Sequence, residues 1–382
     1  MEKRLIKSLD REISLLGFGL MRLPRLNPES PAINYPAAEE MIDLALENGV
    51  NYFDTGWFYH DGLSEPFAGQ ALSRHPRNSY YLATKLPAWL AGSLDEAKKI
   101  FSEQLSRLKT DRLDFYLFHN LTPLSLEIIG RLGLYDYLAG LKEEKVIGRL
   151  GFSMHAHPGH LKTVLDRYRF DFGQIQLNYV DWESLQAREM YGLLQSRGLP
   201  VAVMEPVRGG GLSSLPPAAA GKLRRLEPEA SQASWALRFA ASLPGVMTVL
   251  SGMSTLEQLK DNLKTFNDFK PLSLEEQSFL LGDIVSDFQL ANAVPCTGCR
   301  YCMDCPSGVN IPLNFACYNE YRFRASQDPA RESVFFGLYY ATLTEPEKAA
   351  NCVGCGECQS RCPQNIEIPD LMKEISSLAG RT

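Results

Sequence analysis

Short apolar runs rich in β-branched and aromatic residues alternate with amphipathic stretches through the first 270 residues of the chain. Eight runs predict strands: ISLLGFGL from Ile13, VNYFDT from Val50, YYLATK from Tyr80, LDFYLFH from Leu113, GRLGFS from Gly148, FGQIQLN from Phe172, PVAVMEP from Pro200 and VMTVLSG from Val246. Between them, AAEEMIDLALENG, LDEAKKIFSEQLSRLK and SLQAREMYGLLQSRG repeat apolar residues at helical spacing, and the first and third end in glycine, a common helix stop. Strands apolar on both faces belong in a parallel sheet covered by helices. Eight βα units in about 250 residues fit a closed (β/α)8 TIM barrel of the α/β class better than an open doubly wound sheet. The dinucleotide fingerprint of the open fold is also incomplete, because Gly17-Phe-Gly19 is followed by Leu20, Met21 and Arg22 without the third glycine.

Cysteine usage divides the chain. None of the nine cysteines precedes Cys296, so a cysteine-free body is followed by a dense cysteine tail. The reading is a barrel over 1–270, a helical connection over 271–290 and a mainly helical, cysteine-rich domain over 291–382. A secreted disulfide framework would spread its bridges through the fold. The formal net charge is −6, with no block of lysine or arginine, which argues against nucleic acid or anionic lipid as a partner. No apolar run approaches the roughly 18 to 20 residues of a membrane span. Lys7, Asp10, Arg11 and Glu12 break up any signal-like core, so a cytoplasmic location is expected.

Barrel enzymes place catalytic side chains at the carboxyl ends of strands. Here strand two ends in Asp54, strand three in Lys85 and strand four in His119, with Tyr59 just beyond strand two. The four have a joint chemical logic. An ammonium beside a phenol stabilises phenolate and lowers the phenol's pKa, an aspartate offsets the cost of burying that ammonium, and a histidine can hold a carbonyl oxygen.

FDTGWFYHDGLSE from Phe53, ATK ending at Lys85, SRLKTDRLDFYLFH ending at His119 and GFS ending at Ser153 resemble the successive signatures of the aldo-keto reductase family. The resemblance runs from about residue 10 to 265. It implies an eight-stranded barrel in which Tyr59 is the general acid, Lys85 and Asp54 tune it, and His119 orients the carbonyl. It also implies a nicotinamide dinucleotide across the barrel mouth. Ser153 matches the residue that holds the carboxamide and Gln176 a further contact to the dinucleotide, Arg208, Gly209 and Gly210 lie where the pyrophosphate passes, and Gly252, Ser254, Gln258 and Asn262 lie at the adenosine end. Met204 takes the place of an aromatic nicotinamide platform, and His155 the place of a carboxamide-binding asparagine. Gly252 and Gln258 stand where many members carry the cations that clasp a 2′-phosphate. NADP(H) remains the expected cofactor ahead of NAD(H).

His155, His157 and His160 form H-x-H-x-x-H, which a loop position without nearby cysteine makes a poor metal site. Trp57 and Trp89 are near the tetrad in sequence, in the pocket or in the core. In the tail, Cys296, Cys299, Cys302 and Cys305 form one run, and Cys352, Cys355, Cys358 and Cys362 another. The second is C-x2-C-x2-C-x3-C-P, the bacterial ferredoxin spacing, and the first is one residue shorter before its last cysteine. Zinc is the rival reading of C-x2-C pairs. Similarity to two-cluster ferredoxins implies two 4Fe-4S clusters that exchange their last ligands, Cys362 joining the first run and Cys305 the second. Cys317 is left over as a core thiol.

Together these features predict a nicotinamide-dependent carbonyl reductase or alcohol dehydrogenase acting on a small-molecule carbonyl, its barrel coupled to or braced by two clusters, with a redox protein as a further partner. The alternative is an electron-transfer protein whose barrel is a nicotinamide-binding or docking module.

Overall fold

The computed structural model describes residues 1–27, 30–155, 157–303, 305–327, 336 and 343–379. A two-stranded antiparallel hairpin, β1 (Lys3–Ile6) and β2 (Arg11–Ser14), precedes eight parallel strands. These are β3 (Leu16–Gly19), β4 (Tyr52–Asp54), β5 (Tyr81–Leu86), β6 (Leu113–Phe118), β7 (Ile147–Met154), β8 (Phe172–Gln176), β9 (Val201–Met204) and β10 (Val246–Ser251). They close in chain order, with β10 paired to β3. The barrel and its eight strands are those expected; the hairpin is not. The run from Ile13 splits into the end of β2 and all of β3, because a turn-poor apolar stretch hides a change of partner.

Side chains alternate between the barrel interior and the surrounding helices. Tyr52, Ala83, Phe115, Leu117, Phe172, Ala202 and Met247 belong to the buried interior cluster. Phe115 packs at 5.0 Å from Tyr52 and 5.2 Å from Phe172, ring centre to ring centre. The alternate positions face outward: Thr84 and Tyr116 meet Gln104 of the helix Leu94–Arg107 through hydrogen bonds of 3.3 and 2.6 Å. Gln104 and Thr84 both donate to buried Glu65 of the helix Ser64–Leu72, each at 2.6 Å. Burial nonetheless pushes the Glu65 carboxyl above its ordinary pKa, the hydrogen bonds and Arg107 pulling the other way.

The chain divides into two compact units, Met1–Val207 with Ala233–Leu274, and Arg208–Gln232 with Glu275–Thr382. The segment after β9 thus groups with the tail. Lys222 of its helix Pro217–Leu226 reaches Asp283 at 3.5 Å and Asp287 at 2.9 Å. The second unit is mainly helical, with helices at Ile311–Gln327 and Ile368–Ala379 around a core that includes Phe315, Met372, Ile375 and Cys317. Among the described residues no helix is long and apolar enough to cross a membrane.

Gly69 tests how tightly the helical layer is fitted. A Cβ there would lie 2.2 Å from the carbonyl oxygen of Arg107, a backbone atom that cannot rotate aside. Gly69→Ala is expected to cost about 1–3 kcal/mol through overpacking, read as a lower urea midpoint for the barrel's loss of circular dichroism; an unchanged midpoint would show that the two helices separate freely.

Candidate active site

Strand parity brings the tetrad together. Asp54 follows inward Tyr52 by two residues, Lys85 follows inward Ala83 by two, and His119 follows inward Leu117 by two. The backbone N–H of His119 still donates to Leu86 O at 2.9 Å, which keeps it in register with β5. Lys85 Nζ donates to Asp54 Oδ1 at 2.6 Å, to Thr55 O at 2.6 Å and to Tyr59 Oη at 3.2 Å. The Tyr59 and His119 rings meet edge to face at 6.0 Å. All four predicted tetrad residues therefore share one cluster. Thr55 was missed as a partner because its contribution is a main-chain carbonyl, which no side-chain pattern reveals.

The electrostatics differ from the expectation in one respect. Burial raises the Tyr59 phenol well above its ordinary pKa, the Asp54 and Glu205 carboxylates add to the rise, and the neighbouring ammonium does not reverse it. Desolvation opposes phenolate more strongly than Lys85 favours it. Burial also raises Asp54 against the pull of Lys85. His119 moves well below 6.5, first through burial, then through the positive charge of Lys85 and the proximity of His155, so it is a neutral imidazole at pH 7. Its Nδ1 is buried with no hydrogen-bond partner among the described residues.

The predicted cofactor contacts fall into several groups. Ser153 is buried, and its Oγ accepts from Asn120 N at 2.9 Å. His155 Nδ1 and Gln176 Oε1 lie 2.9 Å apart, and Gln176 Nε2 donates to Asp181 Oδ2 at 2.8 Å. Met204 Sδ lies 3.9 Å from Gln174 Nε2. At the other end, Ser254 Oγ donates to Arg22 O, Gln258 Oε1 accepts from Ser254 N, both at 2.7 Å, and Asn262 Nδ2 donates to Ser251 Oγ at 2.9 Å. A Cβ on Gly252 would touch the Arg22 stem at 3.2 to 3.4 Å, and Arg22 Nη2 is buried without a hydrogen-bond partner among the described residues. Arg22 is a cation that sequence reasoning passed over, since it was weighed only as the wrong residue for a glycine fingerprint. Arg208, Gly209 and Gly210 belong to the second unit.

The histidine triplet does not converge. His155 is engaged with Gln176, and His160 with the main chain of Leu121 and Thr122; no group of three His, Cys, Asp or Glu among the described residues could hold a single metal ion. Trp89 and Trp57 also part company. Trp89 lies 5.4 Å from His119 and stacks on Phe58 at 5.9 Å, whereas Trp57 lies under the Arg107 guanidinium at 3.8 Å.

In the second unit, Cys296, Cys299, Cys302 and Cys362 line one cavity. Cys305, Cys352, Cys355 and Cys358 line another, which Cys302 also borders. The thiols of Cys302 feel Cys299, Cys296 and Cys362, and that of Cys358 feels Cys352, Cys355 and Cys305. Burial pushes the Cys296 thiol up to about 11 and Cys302 up to about 12. Such thiols become thiolates at neutral pH only beside strong positive charge, which is what a metal centre supplies.

Removing one member of the Lys85–Asp54 pair leaves a buried group uncompensated, since the two side chains are only 1% and 3% exposed. Lys85→Met is expected to cost about 3–5 kcal/mol and Lys85→Met with Asp54→Asn much less, measured by urea denaturation; equal losses would mean the aspartate is content alone.

Residues 15–278 match the model of the aldo/keto reductase family, and residues 295–367 that of the 4Fe-4S dicluster domain. An oxidoreductase of Bacillus subtilis, YqkF, is 27% identical over 297 residues, covering 70% of this chain and 92% of its own. L-galactose dehydrogenase of Arabidopsis thaliana is 24% identical over 306 residues, covering 72% and 92%. The holo form of an aldo-keto reductase from Bacillus halodurans superposes with a TM-score of 0.59 at 29% identity, over 73% of this chain and 94% of that one. A Klebsiella pneumoniae aldo/keto reductase in complex with NADP and acetate shares the fold, with a TM-score of 0.58 at 20% identity over 72% and 93%. The chain belongs to the aldo/keto reductase family of oxidoreductases and carries a 4Fe-4S domain after the barrel in its sequence.

Proposed function

We propose that the protein reduces a small carbonyl compound, or oxidises the matching alcohol, with Tyr59 as the proton donor. One observation carries this reading: Lys85 Nζ donates to Tyr59 Oη at 3.2 Å inside a buried cluster that also holds neutral His119. A nicotinamide cofactor would supply the hydride. Ser153, His155 and Gln176 are the residues to hold its carboxamide, with Met204 as a soft platform and Gly252, Ser254, Gln258 and Asn262 toward the adenosine. His119 holds the carbonyl oxygen by hydrogen bond, and the Tyr59 proton passes to that oxygen as the alkoxide forms. NADP(H) is favoured over NAD(H) because Arg22 offers a cation beside Gly252, at the end where the 2′-phosphate that NAD(H) lacks would lie.

Two 4Fe-4S clusters are assigned to the two cavities, Cys296, Cys299, Cys302 and Cys362 holding one and Cys352, Cys355, Cys358 and Cys305 the other. The grouping of thiols supports the exchange of last ligands, despite the short spacer before Cys305. The clusters supply one-electron transfer when bound, and a cytoplasmic setting, where thiols stay reduced, suits them. An electron-transfer role with a redox partner protein, the barrel serving as a nicotinamide-binding or docking module, is favoured by the exposure of Cys355 and of Val353 beside it, the latter 73% exposed.

Tyr59→Phe is expected to lower carbonyl turnover about a hundred- to ten-thousand-fold while leaving NADPH titration unchanged; full turnover in that variant would refute the acid. If wild-type protein consumes no aldehyde from a broad panel but exchanges electrons with a one-electron carrier, the electron-transfer reading replaces the first.

The pH profile follows from the directions of the shifts. His119 stays neutral above 6.5 and Tyr59 stays protonated to above 10, so kcat/KM for reduction is expected to be flat between those limits. A basic limb inside that window would mean that the phenol is depressed after all.

Anaerobically purified protein is expected to contain about eight iron atoms and eight sulfides. Cys362→Ser should perturb the cluster of the first run and leave that of the second; the reverse result would dissolve the exchanged assignment.

A further inference from the structure

Arg208–Gly211 begins four residues after Met204, and within the second unit it meets the start of the first cysteine run. Arg208 is 4% exposed and takes a left-handed φ of +52°, which a non-glycine residue adopts only when its surroundings hold it there. Its Nη2 donates to Pro295 O at 3.1 Å, the carbonyl bonded to the nitrogen of Cys296. Its guanidinium lies 5.6 Å from the centre of the Phe288 ring, which keeps the charge against an apolar wall. The next residue, Gly209, has φ +64°, and a Cβ there would lie 2.2 Å from Thr297 O. The backbone of this loop is therefore seated on the Cys296–Cys299 turn.

From this placement we propose that Arg208 tunes the cluster held by Cys296, Cys299, Cys302 and Cys362, raising its reduction potential. The inference rests on the cluster assignment above. A cluster with four thiolates gains one negative charge when it takes one electron, so a nearby positive group stabilises the reduced form more than the oxidised one; net charge and hydrogen bonding are among the known determinants of cluster potential. Arg300 lines the same cavity but is exposed, and water and salt screen an exposed charge far more than a buried one. Arg208 has further partners, so what the run feels is the near, positive end of a buried polar group. The N–H of Gly298, which donates to Cys296 Sγ at 3.4 Å, acts in the same direction.

The test uses anaerobic full-length holoprotein. Iron and sulfide analysis and low-temperature EPR of the dithionite-reduced wild type come first, and they stand or fall with the cluster assignment alone. Stepwise reductive titration followed by EPR is then run on wild type, Arg208→Gln, Arg208→Lys and Arg300→Gln. In Arg208→Gln one of the two cluster signals should shift to lower potential while the other stays, Arg208→Lys should titrate close to wild type, and Arg300→Gln should shift less than Arg208→Gln. Unmoved signals in iron-replete Arg208→Gln, or equal shifts in both, overturn the proposal. If Arg208→Gln fails to load the first cluster, Arg208→Lys decides: loading at the wild-type potential supports a charge effect, and failure to load makes the residue a structural brace and overturns it.

Discussion

An ammonium group has three protons to donate, and in this barrel each is spoken for. Lys85 gives one to Asp54 Oδ1, one to Thr55 O and one to Tyr59 Oη. Burying the charge costs several kcal/mol, an expense offset only when geometry and hydrogen bonds are complete. That completeness fixes more than the lysine. Because the phenol oxygen accepts from Nζ, its own proton cannot point back along the same line and must be offered elsewhere. The buried pair therefore acts first as a jig for the phenol's direction, and the interior packing of Tyr52, Phe115 and Phe172 below it is what holds the jig at the rim.

That view alters how the proposed acid would work. A depressed phenol pKa would make Tyr59 an acid by thermodynamics, yet burial moves it the other way. In the proposed reaction, direction and proximity would then be the larger contributions, since an alkoxide is a stronger base than a phenolate and would take the proton even from a raised phenol when the two are held in line. His119 fits the same scheme. As a neutral imidazole it would offer a carbonyl oxygen a hydrogen bond without being, as an imidazolium would, a second proton donor beside the proposed acid Tyr59.

The barrel was legible because its signals are periodic and local. Alternation marks which residues of β4, β5 and β6 face inward, so a polar residue two places past an inward apolar one already announces the site: Asp54 after Tyr52, Lys85 after Ala83, His119 after Leu117. The metal runs were legible because spacing alone encodes them. What stayed hidden depends on distant chain segments. The β1–β2 hairpin looks like a basic terminus, Thr55 contributes only its carbonyl, and Arg22 gains meaning from Gly252, some 230 positions away. The sign of the Tyr59 shift was hidden for a different reason: composition names the charges near a phenol, but only packing tells how much water they have lost.

The glycines of RGGG show how one motif can satisfy two readings for separate reasons. By resemblance they are bare backbone for a pyrophosphate. In the fold, Gly209 is required by Thr297, whose carbonyl leaves no room for a Cβ, and Gly210 by its φ of +100°, with nothing within 4 Å of a Cβ. Gly211 has neither constraint, a Cβ there being 3.9 Å from the Phe288 ring. The demand for glycine at 209 thus comes from the cysteine run, and that at 210 from the turn itself. A loop whose shape is dictated in this way by a metal-binding run carries its geometry wherever that run is folded, so the tail has a structural claim on the segment after β9 whether or not it ever passes an electron.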